Sequence, residues 1–383
     1  MTTVEKKVVY YIGFYDGRYC KKRGKTEQNL AGSMKMDFII QSLKKMGYKV
    51  CIISLTPGDR AYGITERHTV DKDEEYIYIP YMAVKRKGQL IGCSRMLRYS
   101  LKRFIEKNFD RDSIVISYHS LVYGNLLVEL HKKIGFKWLA QIEELYCLSR
   151  KDFFSPEMLQ TEEKMFETAD GFLVVNDLMK QKYANGKNCA VSYGNYRFFS
   201  RRQQKNSEQI NIAYTGIINE DRGIFLLMDA MRYLPQNYKL NVLGYGLPSH
   251  MQNFNDKMKR INEEEGYEKI KFCGTKKGEE YTRFLVNNDI GVSLMDVNDE
   301  VAQNAFPSKI MAYLGHSLYV VSSKCEAITQ SKVAHLLYFC DNEPKNVAET
   351  ILRVPVREQN DMKGELEKLE TIFIKELHKV LEE

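Results

Sequence analysis

Two stretches of this chain combine a glycine or proline turn, a cation and a helix start within a few residues. In the first, Tyr214-Thr215-Gly216 ends a strand and Asp221-Arg222-Gly223 leads into a helix. A tight glycine turn, a guanidinium and the positive end of a helix together suit a diphosphate. The second is Asn304-Ala305-Phe306-Pro307-Ser308-Lys309-Ile310. Proline suits the first helical position, which puts Ser308 and Lys309 in the first turn. A lysine there opposes the helix macrodipole, a conflict that a bound anion removes. Another glycine turn, Gly244-Tyr245-Gly246, closes a neighbouring strand.

The first half carries weaker signals. Ala31-Gly32-Ser33 stands at a helix start, where a glycine lets backbone N–H groups approach an anion, although a plain turn glycine reads the same way. His119 follows the apolar strand 113–117, and a neutral imidazole there suits a sugar hydroxyl or a phosphate oxygen. The other six histidines lack such a placement. Glu143 and Glu144 follow the strand 137–142. Adjacent strand residues face opposite ways, so the two make no acid/base pair, and one of them is a candidate for an acceptor hydroxyl. A solvated strand end is the plainer reading.

These residues need strands and helices to hold them. Strand-like runs at 8–14, 49–55, 75–81, 113–117, 137–142, 171–175 and 190–192 alternate with helical spacing at 33–45, 94–107, 125–133 and 156–168. Alternation of this kind means βαβ units and a parallel sheet. It breaks over 196–209, which is polar and basic, and restarts with strands at 210–214, 239–242, 269–272, 290–294, 319–322 and 337–340. Helices are expected between them at 224–231, 249–264, 279–287, 307–314, 331–334 and 345–353. A charged amphipathic helix at 362–381 closes the chain. The expected architecture is α/β, with two tandem doubly wound, Rossmann-like domains facing a cleft. The first covers 1–196, a linker covers 197–209, and the second covers 210–356. The segment 357–383 is a helix that packs back on the first domain. In open sheets of this type ligands bind at the carboxyl ends of the strands, where the residues named above stand.

Composition bounds the rest. The 383 residues fit two domains of ordinary size, and 44% hydrophobic with 28% charged residues is globular composition. The N-terminus does not read as a signal peptide, and no run reaches the length of a membrane span. Eight scattered cysteines without a CxxC pair read as reduced thiols, with no zinc site and no disulfide frame. The net charge of +7 is concentrated early, at Lys21, Lys22, Arg23 and Lys25, at Lys85, Arg86 and Lys87, and at Arg95, Arg98, Lys102 and Arg103. A solvated face explains it. So does an anionic membrane surface or a lipid-phosphate acceptor. No nucleic-acid-binding motif accompanies the charge, so nucleic acid is not an expected partner. The expected location is the cytoplasm, with peripheral attachment to the inner face of the membrane as an option.

Taken in order, INIAYTGIINEDRGIFLLMDAM, YKLNVLGYG, IKFCGT and NDIGVSLMDVNDEVAQNAFPSKIMAYLGHSLYVVSS resemble the retaining GT-B glycosyltransferases of the family-4 type, which act on bacterial polysaccharides and lipids. EEKMFETADGFLVVNDLMKQKY resembles the end of that family's first domain. The resemblance covers most of the chain and is strongest over 210–322. It implies sugar transfer from a nucleotide-sugar to a glycan or lipid-linked acceptor, retaining and metal-independent, with no cofactor beyond the donor. It implies that Arg222 and Lys309 meet the donor diphosphate and that Gly216 is the close-approach glycine. It places Gly244 and Gly246 by the nucleoside, His119 near the donor sugar and Gly32 in the first-domain glycine loop. Where the family carries two glutamates and a basic residue, this chain has Asn304, Ala312 and Ile217. Asn304 keeps hydrogen-bonding capacity toward a sugar; Ala312 cannot hold a ribose. Two other readings share the pattern: a non-catalytic subunit supporting an active partner, and a sugar-nucleotide epimerase of the same fold.

Overall fold

The computed structural model describes residues 6–15, 30–55, 66–79, 83–86, 89–92, 94–149, 154–184, 186–199, 208–358 and 360–383. The basic residues Lys21, Lys22, Arg23, Lys25 and Lys87, and most of the expected linker, lie outside them. The chain divides into two compact units. One comprises Met1–Val175, Met179–Ser192 and Phe373–Glu383, the other Asn176–Leu178 and Tyr193–Ile372.

The first unit contains β1 (Val8–Gly13), β2 (Lys49–Ser54), β3 (Glu66–Asp71), β4 (Glu74–Tyr78), β5 (Ala83–Arg86), β6 (Gln89–Gly92), β7 (Ile114–Tyr118), β8 (Lys137–Ile142), β9 (Gly171–Val174) and β10 (Asn188–Val191). Eight of these form one sheet in the order β10-β9-β8-β7-β1-β2-β4-β3. The strand order reverses between β1 and β7, both of which pair in parallel. The central strands are near-continuous apolar runs because helices cover both faces. Val9, Ile52, Ile116 and Leu139 are fully buried. Helix Leu121–Ile134 starts on Ser120, whose hydroxyl accepts the Val122 N–H, and stops at Gly135 in the left-handed region.

The sheet departs from the expected all-parallel pattern at its edge, where β3 runs antiparallel to β4. A separate antiparallel hairpin joins β5 and β6. Charged residues in ERHTVD and AVKR hide the strand period there. Helix Leu30–Lys45 starts before the expected position, so Gly32 lies inside its first turn.

The second unit contains β11 (Ile210–Ile217), β12 (Tyr238–Tyr245), β13 (Ile270–Phe272), β14 (Ile290–Ser293), β15 (Tyr319–Ser323) and β16 (Leu337–Cys340). They form a parallel sheet in the order β13-β12-β11-β14-β15-β16. Here the order reverses between β11 and β14. One face packs Ile212, Tyr214, Leu240, Val242, Ile290 and Val292 against Ile224, Leu227, Phe254 and Ile351 from the covering helices. Pro307 caps helix Ser308–Gly315 from outside instead of filling its first position. The expected helix at 331–334 is replaced by Glu326–Thr329 and a single 3-10 turn, Ala334–Leu336.

The closing helix spans Lys363–Glu382. From Phe373 onward it belongs to the first unit: Phe373 packs on Phe38 with centroids 5.3 Å apart, and Glu382 pairs with Lys7 at 2.8 Å. Glu376 accepts the Val191 N–H at 3.0 Å. Among the described residues, no helix is long and apolar enough to cross a membrane.

Candidate functional site

The reversal point of the second sheet gathers Gly216, Arg222, Gly223 and Lys309, with Gly244 on the next strand. β11 ends in Gly216, whose φ of 141° lies in the region that favours glycine. A Cβ there would stand 3.4 Å from Lys309 Nζ, so the ammonium lies beside this backbone turn. Lys309 reaches the spot from the first turn of Ser308–Gly315, a turn that contains no acidic residue. Two contacts fix that helix. The Tyr313 hydroxyl accepts the Thr215 N–H at 2.9 Å, and the Tyr313 ring lies where a Cβ on Gly291 would be.

Lys309 Nζ also stands 4.2 Å from the Tyr214 ring centroid. This is a cation–π contact. The Tyr214 hydroxyl donates to the Ile217 carbonyl at 2.8 Å, which locks the ring under the ammonium. Burial holds the Tyr214 phenol well above its usual range, so the ring stays neutral. Burial, and then the nearby Arg222 guanidinium, pull the Lys309 ammonium down to about 7. Among the described residues no carboxylate pairs with Lys309 or Arg222.

Arg222 ends the 3-10 turn Glu220–Arg222, and its side chain is exposed. Gly223 follows with φ 68° and starts helix Ile224–Ala230. A Cβ on Gly223 would come within 2.9 Å of the Leu294 backbone, just past β14. Only glycine lets this turn close onto the reversal point. Gly244 is the register partner of Gly216 on β12. Side chains at Gly244 and Gly246 would strike the Gly216 and Ile218 carbonyls at 2.3 and 2.4 Å. Packing of β12 on β11 thus accounts for both glycines. Ser308 is exposed at the helix start. Asn304 ends helix Glu300–Asn304, and its side-chain N–H groups turn back to the Glu300 carbonyl at 2.8 Å. Ala312 shows a methyl one turn beyond Lys309.

In the first unit the arrangement differs from the sequence reading. His119 follows β7 but does not face open space: its side chain is fully buried. Its Nε2 lies 3.0 Å from Glu162 Oε1, and its ring stacks on Tyr146 at 4.3 Å. Glu162 also accepts the N–H groups of Tyr146 and Cys147 at 2.9 and 3.0 Å. Burial raises the Glu162 carboxyl, but His119 and these N–H groups outweigh it and hold the group below the usual carboxylate range. The helix Pro156–Thr168 that supplies Glu162 was visible in the sequence; its pairing with His119 was not.

Glu143 and Glu144 lie past the end of β8, so the strand argument about their opposite faces does not apply. Glu143 is bound to Lys35 and to the Gln141 amide, which in turn accepts the Tyr11 hydroxyl. Gly32 is buried in the helix that carries Lys35. Gly13, passed over in the sequence, marks the reversal point of this sheet. A Cβ on it would lie 3.0 Å from Met36 and 3.1 Å from Tyr118. Among the described residues, no three His, Cys, Asp or Glu side chains converge on a metal position.

No family model matches the chain, and no curated protein matches it. Solved structures do. E. coli trehalose-6-phosphate synthase bound with UDP-2-fluoro glucose gives a TM-score of 0.69 at 8% identity, covering 98% of this chain and 99% of the other. Sucrose-phosphate synthase from Thermosynechococcus elongatus gives 0.62 at 12% identity, with 98% and 95% covered. Anabaena HepE in complex with UDP gives 0.63 at 10% identity, with 98% and 99% covered. At such identities the likeness is one of fold, and that fold is GT-B.

Proposed function

We propose that this protein transfers a sugar from a nucleoside-diphosphate donor to a glycan or lipid-linked acceptor. The observation that carries the proposal is the pairing of Lys309 with Arg222 at the reversal point of β11 and β14. Two cations without carboxylate partners stand beside a glycine turn and a helix start. That arrangement suits a diphosphate leaving group. The solved structures of like fold include complexes with UDP, so a UDP-sugar is the first donor to test.

In the proposed reaction the bond from the anomeric carbon to the diphosphate oxygen breaks, and a bond to the acceptor oxygen forms with retention. The leaving diphosphate takes the acceptor's proton. Lys309 and Arg222 stabilise its growing charge, which makes a metal unnecessary for that purpose. His119 enters as a buried positioning group held by Glu162, not as a group that touches the sugar.

Calorimetric titration with UDP and a UDP-sugar tests the site. Arg222→Ala and Lys309→Ala should each weaken binding by about 1.5–3 kcal/mol, since each removes a charge-assisted contact. Unchanged affinity in both would overturn the assignment.

A second reading rests on Asn304 and Ala312. The Asn304 amide bonds its own helix and Ala312 offers no acceptor. A subunit that binds nucleotide without turning it over fits these two residues. Product formation from a UDP-sugar and a glycan acceptor excludes it. Release of free 2-epimer without an acceptor would point instead to an epimerase.

The basic helix Ser94–Asn108 completes the proposal. Arg95, Tyr99, Lys102, Arg103 and Lys107 are exposed on it, as an acceptor held at an anionic membrane surface requires.

A further inference from the structure

A second group of cations lies along the β13 edge of the same sheet. A hollow of about 420 Å³ opens between the edge strand β13, the neighbouring β12 and helix Gly278–Val286. Lys271, Lys276 and Arg283 stand around it with one carboxylate, Glu280. Among the described residues none of the three cations is in an ion pair, whereas Lys239 and Lys257 of the same unit pair with Glu268 and Asp229.

The floor is polar where a sheet face under a helix is ordinarily apolar. Asn211 and Asn288 are 9% and 2% exposed. Asn241 joins them, donating to the Asn288 side-chain oxygen at 2.8 Å and to that of Asn211 at 3.5 Å. Both of its N–H groups are therefore engaged on the floor, and its own side-chain oxygen receives no hydrogen bond among the described residues. Asn288 is satisfied within the floor, its N–H group donating to the Phe284 carbonyl at 2.7 Å, so the acceptor left toward the hollow is the Asn241 oxygen. A floor of amides beneath a rim of cations matches a small ligand with an anionic group and several hydroxyls.

Asn211 stands at the start of β11 and Gly216 at its end, five residues along the strand, or about 17 Å. None of the residues lining the hollow belongs to the Arg222–Lys309 site.

We propose that this hollow is a second ligand site, specific for a small hydroxylated phosphate, with Lys271, Lys276 and Arg283 on the phosphate and the asparagine floor toward the hydroxyls. The inference does not depend on the proposed transferase activity.

Glycerol 3-phosphate is a suitable probe, with inorganic phosphate and glycerol as separate arms. Calorimetry on the full chain should show glycerol 3-phosphate binding more tightly than phosphate, and glycerol not binding. The double variant Lys271→Gln/Arg283→Gln should lose at least tenfold in affinity for glycerol 3-phosphate. Lys309→Ala should leave that affinity unchanged. Both changed residues are exposed, and an unaltered thermal midpoint will show that the double variant folds. Equal affinity in the double variant and the parent overturns the proposal. So does an affinity that falls with Lys309→Ala, which would assign the binding to the diphosphate site. Inorganic phosphate binding as tightly as glycerol 3-phosphate overturns the role of the asparagine floor.

Discussion

Lys309 Nζ is held 4.2 Å from the centre of the Tyr214 ring, and the neighbouring charge that acts on it is another cation, Arg222. Burial and that neighbour pull the ammonium to about 7 from an ordinary value of 10.5. In the free protein this lysine therefore sheds its proton near neutrality.

Ligand binding should reverse the loss. At pH 8 a nucleoside diphosphate should draw a proton onto Lys309, because an adjacent anion favours the charged form. Calorimetry of UDP binding in two buffers of different ionisation enthalpy reads this directly. Uptake should approach one proton at pH 8, shrink below pH 7, and vanish in Lys309→Gln. The sign for stability is opposite to that of a paired lysine. Between pH 7 and 10.5 the unfolded chain binds more protons, so the ligand-free protein should gain stability from this group as the pH rises. Binding without buffer dependence would show that the ammonium keeps its proton throughout.

Glu162→Ala should destabilise the first unit by about 3 kcal/mol or more, because it leaves His119 and two backbone N–H groups without their buried partner. Glu162→Gln keeps an acceptor and should cost less. The carboxyl is held below its ordinary value, so its contribution is present above about pH 4.5 and fades as the pH falls through the lowered value. Urea unfolding of the three proteins at neutral and acidic pH measures both effects. Equal midpoints for Glu162→Ala and the parent would contradict the pairing.

Ser317 occupies a position built for glycine. Helix Ser308–Gly315 ends with the Leu318 N–H on the Tyr313 carbonyl and the Ser317 N–H on the Leu314 carbonyl. This double closure places Ser317 at φ 58°, the left-handed conformation that costs an L-residue about 1–2 kcal/mol. Its buried hydroxyl has no hydrogen bond. Ser317→Gly should stabilise the protein by about 1 kcal/mol, seen as a thermal midpoint higher by roughly 2–4 °C. A lower midpoint would mean that the hydroxyl has a role.

The basic helix Ser94–Asn108 should carry the protein to vesicles containing phosphatidylglycerol, and added salt should release it. Lys102→Glu/Arg103→Glu should abolish the binding in a co-sedimentation assay. Equal binding to neutral vesicles would rule out charge as its cause.

The parts of this structure that are local in sequence were legible from it. Apolar runs marked β7, β8, β11 and β14, because a strand covered on both faces needs little else. A glycine turn after a strand marked Gly216, a cation before a helix-start glycine marked Arg222, and a proline helix start marked Lys309. Features that depend on a distant partner were not legible. Nothing around His119 announces Glu162, and nothing around Lys309 announces Tyr214 beneath it. The tight fit of Gly244 is set by a carbonyl on β11. The antiparallel β3 was hidden because an edge strand needs no apolar run.

The closing helix has a consequence for synthesis. Lys7, at the foot of β1, finds its partner in Glu382, a residue made 375 positions later. Phe38 and Val191 likewise wait for Phe373 and Glu376. The unit that holds β1 is completed only once residues 373–382 have been made, so the nascent chain carries an unfinished apolar surface until then. A stop codon anywhere before position 373 would strand that surface permanently.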